Sequence, residues 1–545
     1  MEAESLDRLL LRAEALRRAG RWEQAKSAYA AAELLSPDAA AIKHNLAICL
    51  LGTGHPGLAL EAARAALELD RNLWQARVVL GKALTELGMA EEAAIHFAAL
   101  FKEHGEIPAI RLEFAATMLH ELGQAFEAAK IVSPLRENPA CRRDAILTGL
   151  MASLYDRDTS AQQITGELRA FSRTYIEQCS VSEPDLPRSA STQRNPRIRI
   201  GLMSPMFSCS PVYFFCIGAL RLIAAECDLI FVKRGRKEDW ATREFQRLAC
   251  EWLSVGNLDA DALATALAGL DLDVLLDMGG WSDVIGLQAL TSRPARRQYK
   301  WVGGQSATTG LRVFDGILSD KEQTPPEFQH LYSEKLVMLD SGYVTYTAPD
   351  YLPQPVLPEF SDRVYGIISN PAKISRDFLA DLTRRLASTE VEADSTLRFI
   401  DRRYVSPQLR QRIEAALQPL GRSVRLEFVV PESHEDYLRQ VGRLGMVLDT
   451  FPYTGGLTTM EALSLGVPCR TRVGTLFCER HTYAHCLNAG LNVDEITLDT
   501  WQPEAGIPQR GTFSLVQADS PRLNHERLAE CLLQLFDDRS GLPTT

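Results

Sequence analysis

A period of 34 residues constrains the N-terminal third of this chain more than any other feature of its sequence. Glycine recurs at that spacing at Gly20, Gly54 and Gly88. Alanine keeps the same spacing at two further sets of positions, which are Ala25, Ala59 and Ala93, and Ala32 and Ala66. Because three sets of positions share one period, the sequence predicts stacked helix pairs over about residues 6–135. Each glycine would lie at a turn, and each alanine at a close contact between helices.

The repeated positions resemble those of tetratricopeptide repeats. Other residues agree with that pattern, namely Trp22, Tyr29, Pro37, Gly81, Leu84 and Phe97. The resemblance implies an α-solenoid domain over residues 1–135 with a concave surface of the kind that holds a peptide or a protein. We therefore expect a protein partner for this part of the chain.

Beyond residue 196 the pattern changes to short apolar runs separated by helical stretches. Eleven runs are predicted to be strands: Ile198–Met203, Leu229–Lys233, Asp273–Asp277, Tyr299–Val302, Gly316–Leu318, Lys335–Leu339, Val364–Ile368, Leu397–Ile400, Leu426–Val430, Met446–Leu448 and Cys469–Val473. Apolar strands that alternate with helices indicate parallel, doubly wound sheets. The sequence thus predicts a helical connector and linker over 136–196, a first Rossmann-like domain over 197–345 and a second over 346–545. A ligand would bind at the carboxyl ends of their strands.

Composition excludes several classes of protein. Lys and Arg number 59 against 70 Asp and Glu, and the net charge of −11 does not suit a nucleic-acid partner. No apolar run is long enough for a membrane span, and the first 20 residues do not form a secretory signal. The 11 cysteines are odd in number and scattered, which favours reduced thiols and a cytoplasmic protein.

The segment VLDTFPYTGGLTTMEAL, residues 447–463, carries the strongest chemical signal. A strand leads into a turn that contains Gly455 and Gly456, and a helix follows. The glycines allow a ligand to approach the backbone, and the helix N-terminus favours an anion. We expect Thr458 and Thr459 to cap the helix, and Glu461 to accept hydrogen bonds from ribose hydroxyls. The pattern predicts a nucleotide-diphosphate site, although an ordinary strand–turn–helix with a cap would give a similar sequence.

Several segments in order resemble the O-linked N-acetylglucosamine transferase family, including its plant and bacterial relatives. They are LDTFPYTGGLTTMEALSLGVPC (448–469), RPARRQYKWVGGQSATTG (293–310), FDGILSDKEQTPPEF (314–328), YSEKLVML (332–339) and ISNPAKIS (368–375). Helical repeats ahead of such a region are the family's own arrangement. The resemblance implies a bacterial member with an α/β GT-B catalytic region. It also implies an inverting mechanism without metal or cofactor, and transfer of a sugar from a nucleotide such as UDP-GlcNAc to a protein side chain.

The resemblance also assigns roles to individual residues. Lys373 matches the family's catalytic lysine, whose ammonium offsets the charge that develops on the leaving diphosphate. Asn370 matches a position on the phosphate side of the uridine. Thr458 and Thr459 match donors to the diphosphate, and Glu461 matches the acid on the ribose.

Departures from the family pattern lie at the sugar and base ends of the site. Ser210-Pro211 stands where the family has His-Pro, and Gly280-Trp281 stands where bacterial relatives often have Gly-His, so we predict these four residues on the sugar or acceptor side. Tyr437 occupies the position of a histidine under the base, with His434 one turn earlier. The changes leave open a CMP-linked nonulosonic acid donor and flagellin as acceptor. A non-catalytic scaffold with a degraded transferase fold also remains open.

Neither a general base nor a metal site is assigned from the sequence. Asp277, Asp283 and His434 are candidate bases, and each can equally be structural. His481 and His485, flanked by Cys478 and Cys486, suggest zinc by spacing alone. That stretch lies inside the family-like region, where the family has no metal, so we predict none.

Overall fold

A computed structural model describes residues 5–178, 197–354, 364–387, 395–421, 424–500, 520 and 522–537. Backbone contacts divide the chain into two compact units. The first comprises Met1–Ala152 with Val405–Leu409, and the second comprises Ser153–Tyr404 with Arg410–Thr545. Residues 179–196, which hold the predicted linker, lie outside the described ranges.

The first unit is helical, and each helix from α1 to α8 contacts the next along the chain. The helices are α1 (Leu6–Arg18), α2 (Trp22–Leu35), α3 (Ala40–Gly52), α4 (Pro56–Leu69), α5 (Trp74–Glu86), α6 (Ala90–His104), α7 (Pro108–His120), α8 (Ala125–Val132) and α9 (Arg142–Ser153). Four helix pairs therefore occupy residues 6–132. No helix in the described part of the chain is long and apolar enough to cross a membrane.

The repeated small residues explain how these helices pack. The turns within the four pairs contain Gly20, Gly54, Gly88 and Gly123, whose φ angles of +68°, +78°, +75° and +62° favour glycine. The five repeated alanines are fully buried. At Gly81 a Cβ would lie only 2.4 Å from the Phe97 ring, so this helix contact requires glycine.

The second unit contains two parallel sheets. The first has seven strands in the order β3-β2-β1-β4-β5-β6-β7. These are β1 (Arg199–Ser204), β2 (Asp228–Lys233), β3 (Glu251–Ser254), β4 (Leu272–Asp277), β5 (Ala295–Lys300), β6 (Gly316–Ser319) and β7 (Leu336–Met338). The second sheet has five strands in the order β10-β9-β8-β11-β12. They are β8 (Val364–Ile367), β9 (Ser395–Ile400), β10 (Val424–Val429), β11 (Met446–Leu448) and β12 (Cys469–Arg470).

Twelve further helices precede, connect or follow the strands in the described part of the chain. They are α10 (Ala161–Ser172), α11 (Pro211–Glu226), α12 (Trp240–Leu248), α13 (Ala260–Ala268), α14 (Val284–Ala289), α15 (Arg376–Ala387), α16 (Pro407–Leu417), α17 (His434–Val441), α18 (Leu457–Ser464), α19 (His481–Asn488), α20 (Val493–Ile496) and α21 (His525–Asp537). The last helix, α21, packs against α11 in the core of the first sheet, where a Cβ on Gly218 would lie 2.4 Å from the His525 ring.

Each predicted strand has a counterpart in the structure, and one observed strand was not predicted. β3 lies at the edge of the first sheet, and its side chains are half-buried or exposed. An edge strand lacks the continuous apolar run of strands that are covered on both faces, so its sequence carried no signal.

Strand order reverses once in each sheet, between β1 and β4 in the first and between β8 and β11 in the second. In open parallel sheets, ligands bind outside the carboxyl ends of the strands at such a point. The loops that follow these four strands are residues 205–210, 278–283, 368–375 and 449–456. They contain or directly precede most of the predicted site residues.

Candidate functional site

The turn after β11 is held in place by the buried carboxylate of Asp449. Its two oxygens accept hydrogen bonds from the amide of Gly455 at 2.9 and 3.1 Å, and one of them accepts from the Thr471 hydroxyl at 3.0 Å. A Cβ on Gly455 would lie 2.7 Å from Thr459 Oγ1 and 2.9 Å from Thr458 Oγ1. The first glycine is thus required by close packing of the turn on the helix that follows.

Helix α18 begins directly after Gly456, and no side chain caps it. The expectation that Thr458 and Thr459 cap this helix is wrong, because both lie inside it. The Thr459 hydroxyl is instead buried and pairs with the Thr482 hydroxyl at 2.7 Å. First-turn amides have no intrahelical acceptor, and within the described residues the amides of Leu457 and Thr458 donate no hydrogen bond. They can therefore serve an anion.

Lys373 lies in a short turn after β8, next to the turn that follows β11. The side-chain carbonyl of Asn370 accepts from the Ala372 amide at 2.9 Å and fixes this turn. The Lys373 Nζ donates to the carbonyl oxygen of Thr454 at 2.7 Å and lies 4.4 Å from the centre of the Tyr453 ring. Burial lowers the pKa of Lys373 to about 8, although Asp449 and Cys478 oppose that shift. The ammonium is thus poorly hydrated, as a group that meets a buried anion would be.

The buried Glu461 pairs with the half-buried His434 at the same edge of the second sheet. The Glu461 carboxylate lies 2.7 Å from His434 Nε2, and His434 Nδ1 lies 2.8 Å from the hydroxyl of Tyr351. Burial raises the pKa of Glu461, and the bond to His434 opposes that rise. Tyr437 stacks beside His434 with ring centres 5.9 Å apart, and its hydroxyl has no partner among the described residues.

The four residues predicted on the sugar or acceptor side lie in or directly after the loops of the first sheet. Ser210 donates to the carbonyl of Met206 at 2.8 Å, and Pro211 is the first residue of α11. Gly280 has a φ of +49°, and a Cβ there would lie 2.6 Å from the carbonyl oxygen of Gly304. Trp281 is buried, and its indole donates to the carbonyl of Thr308 at 3.1 Å. The structure brings Gly280 and Trp281 into one loop, while Ser210 and Pro211 belong to the neighbouring one.

The three candidate bases are all held by other groups. Asp277 accepts from the amides of Gly279 and Gly280. Asp283 accepts from Arg234 at 2.9 Å and from the first turn of α14. His434 uses both ring nitrogens, as described above. No group of three or more potential metal-ligating acids, histidines or cysteines occurs in the described parts of the chain.

Sequence reasoning missed the buried lysine at the end of β5. The Nζ of Lys300 lies within hydrogen-bond distance of four carbonyl oxygens, those of Asp277, Trp301, Val302 and Gly303, at 2.7 to 3.3 Å. It also lies 3.6 Å from the Asp277 carboxylate. The ammonium thereby ties the end of β4 to the loop after β5. The sequence did offer one signal, because Lys300 is a charged residue inside Tyr299–Val302, which was predicted to be a buried strand.

Sequence comparisons find plant glycosyltransferases. The chain is 27% identical over 315 residues to a protein named probable UDP-N-acetylglucosamine–peptide N-acetylglucosaminyltransferase SPINDLY from Hordeum vulgare, covering 55% of this chain and 32% of that protein. It is 27% identical over 306 residues to the Arabidopsis thaliana SPINDLY, covering 54% and 32%. The chain spans about a third of the length of these curated relatives. No family model matches it.

A structural comparison finds a mutant O-GlcNAc transferase from Thermobaculum terrenum. It is 22% identical, covers 98% of this chain and 94% of that chain, and has a TM-score of 0.66. This likeness confirms the predicted fold class, in which helical repeats precede an α/β GT-B region of two Rossmann-like domains. The sequence and structural comparisons thus confirm the resemblance of the chain to proteins named as O-linked N-acetylglucosamine transferases.

Proposed function

We propose that this chain is an inverting, metal-independent glycosyltransferase that moves a sugar from a nucleotide donor similar to UDP-GlcNAc to serine or threonine of a protein. One observation carries the proposal. The Lys373 ammonium lies in the loop after β8, and the N-terminus of α18 and the Glu461 carboxylate within α18 directly follow the loop after β11, so all three follow the two strands at the switch point of the second sheet. The names of the plant relatives support the same reaction class.

These groups suit the successive parts of a nucleotide sugar. Glu461 would accept hydrogen bonds from ribose hydroxyls, with His434 fixing the carboxylate. The free amides of α18 and the Thr458 hydroxyl would donate to the diphosphate. The stacked rings of His434 and Tyr437 offer a flat surface next to the ribose position for the base.

Lys373 would act where charge develops. The acceptor hydroxyl attacks the anomeric carbon, the bond from that carbon to the diphosphate oxygen breaks, and the electron pair leaves with the diphosphate. A single displacement of this kind inverts the anomeric centre. An ammonium has three N–H donors, and Thr454 takes one, so two remain for phosphate oxygens. A lysine and helix amides together can stabilise the leaving group without a cation in the site.

The helical repeats would recruit the protein acceptor. Stacked helix pairs form surfaces of the kind that hold extended peptides. Nothing in the acidic composition suits a nucleic-acid partner. We propose that the acceptor binds the first unit while its serine or threonine is modified at the second.

The test combines nucleotide binding with identification of the product. UDP, GDP and CMP are titrated into the full chain by calorimetry, and candidate acceptors, flagellin included, are co-expressed with it and analysed by intact mass. Lys373→Met is the inactive variant, and Lys335→Met, at an exposed lysine of the same unit, is the matched control. We expect UDP to bind best and an N-acetylhexosamine to be added by the wild type and the control only. Binding of CMP with addition of a nonulosonic acid would replace the proposed donor, and no nucleotide binding would indicate a scaffold.

A further inference from the structure

Tyr155 contacts the ring on which the Lys373 ammonium rests. The rings of Tyr155 and Tyr453 stack with their centres 4.7 Å apart and their planes 18° apart. The Lys373 Nζ lies 4.4 Å from the centre of the same Tyr453 ring, and the Tyr453 hydroxyl lies 3.0 Å from Ser306 Oγ. The Tyr453 ring is therefore fixed by contacts from three distant parts of the chain, and the contact from Tyr155 is a ring stack.

The two residues after Tyr155 anchor the segment independently of its ring. The buried carboxylate of Asp156 accepts hydrogen bonds from the Arg376 amide at 3.0 Å and from its guanidinium at 3.0 to 3.2 Å. Arg376 is the first residue of α15, three residues after Lys373. Arg157 forms an ion pair with the buried Glu479, which accepts from the amides of the loop before it. Substituting Tyr155 alone leaves both anchors in place.

We propose that Tyr155 is a positioning residue for the transfer reaction, because its ring holds Tyr453 in place and shields the Lys373 ammonium from water. The role of Tyr155 in transfer rests on the proposed function, whereas its contact with the Tyr453 ring does not. In sequence, Tyr155 lies two residues after the end of α9 (Arg142–Ser153), and the ring it contacts belongs to the turn after β11.

Position and hydration of the ammonium both depend on this stack. A cation on an aromatic face is attracted by the ring electrostatically, and more strongly where it is desolvated. The titratable side chains that interact with Lys373 in the described part of the chain are Asp449, Cys478 and His481, and its ammonium lies over the face of the Tyr453 ring. Burial is the largest influence on the pKa of Lys373, which it lowers to about 8. Loss of the Tyr155 ring would admit water beside Tyr453 and move this pKa back towards 10.5.

The experiment measures the pKa of Lys373 directly. The full chain is treated with a lysine-modifying reagent at a series of pH values, and peptide mass spectrometry reports the extent of modification at Lys373. Tyr155→Ala removes the ring, Tyr155→Phe keeps the stack, and Tyr155→Leu keeps apolar volume without a flat face. If the alanine variant does not fold, the pKa of Lys373 is compared between the leucine variant and the wild type. Arg376 and Glu479 remain unchanged in all of them.

We expect the pKa of Lys373 to rise by about one pH unit in the alanine and leucine variants and to stay near the wild-type value in the phenylalanine variant. The transfer rate should fall about tenfold or more in the first two variants, with nucleotide affinity changed less than threefold. The alkaline limb of the rate–pH profile should move to higher pH with the pKa. An unchanged pKa and an unchanged rate in a folded Tyr155→Leu protein would overturn the proposal. If the wild type transfers no sugar, the proposed function fails, and the labelling result still decides whether Tyr155 shields Lys373.

Discussion

Replacing Lys373 by methionine should lower activity and raise stability at the same time. Methionine keeps most of the side-chain volume and removes the ammonium that donates to Thr454. Loss of one preorganised contact to a developing charge typically costs about 10²–10³ in rate. Nucleotide affinity should fall less, because Glu461 and the helix amides remain. A purely structural residue would not separate rate from binding in this way.

The gain in stability follows from the pKa of Lys373. Burial lowers this pKa from 10.5 to about 8, so the charged lysine destabilises the folded chain at neutral pH. At 1.4 kcal/mol per pKa unit, the cost at pH 7 is at most about 3 kcal/mol. Between pH 8 and pH 10.5 the unfolded chain binds the extra proton, so the wild type gains stability as the pH rises. The methionine variant has no titrating group at this position, so its stability should not rise with pH for this reason.

The assay is urea unfolding of both proteins at pH 7 and pH 9, together with transfer rate and nucleotide affinity on the same preparations. The difference in the free energy of unfolding should favour the variant at pH 7 and shrink by about 1 kcal/mol at pH 9. Lys335→Met, at an exposed position, should change neither stability nor rate. A folded Lys373→Met protein with near-normal turnover, or one less stable than the wild type at both pH values, would refute the reasoning.

Four further predictions concern metal, the ribose, the acceptor and the repeats. EDTA should leave the transfer rate unchanged, and activity that vanished with EDTA and returned with Mn²⁺ or Mg²⁺ would contradict the site chemistry. Glu461→Gln should weaken UDP binding about tenfold in calorimetry, the cost of a hydrogen bond to a charged group; unchanged affinity would remove Glu461 from the ribose. A chain without residues 1–135 should still bind nucleotide but fail to modify its protein acceptor, and full modification would rule out recruitment by the repeats. Gly81→Ala should lower the free energy of unfolding by about 1–3 kcal/mol, because its Cβ would meet the Phe97 ring, whereas Gly57→Ala, with open space around the new Cβ, should not.

Local patterns made much of this fold predictable. The turns at Gly20, Gly54 and Gly88 and the buried alanines follow from one period, and such regularity is independent of the rest of the chain. The strands could be located because parallel strands covered on both faces are continuously apolar. β3 lacked that property at the sheet edge.

The candidate site was predictable only where it is local in sequence. Lys373 and Glu461 stand in short motifs next to strand ends, so the motif also places them in the fold. The expectation that Thr458 and Thr459 cap the helix was wrong because Gly456 is the N-cap residue and the helix begins at Leu457, which a residue pattern does not reveal. The ion pair of Arg157 and Glu479 spans 322 residues of sequence, and no spacing rule connects residues so far apart.

Lys300 has a consequence for how the loop after β5 can change. Three of its four closest acceptors are backbone carbonyls of that loop and the fourth is the carbonyl of Asp277 at the end of β4, so the ammonium fixes the path of the loop through backbone atoms. Side chains on this loop can therefore be exchanged while its path persists. Because the Lys300 ammonium is covalently attached to the chain, it stays in place when other side chains are substituted, whereas a bound metal ion dissociates on dilution or is removed by a chelator. The loop that Lys300 fixes is a starting point for substitutions that test the proposed donor site, with Lys300 and the adjoining glycines held constant.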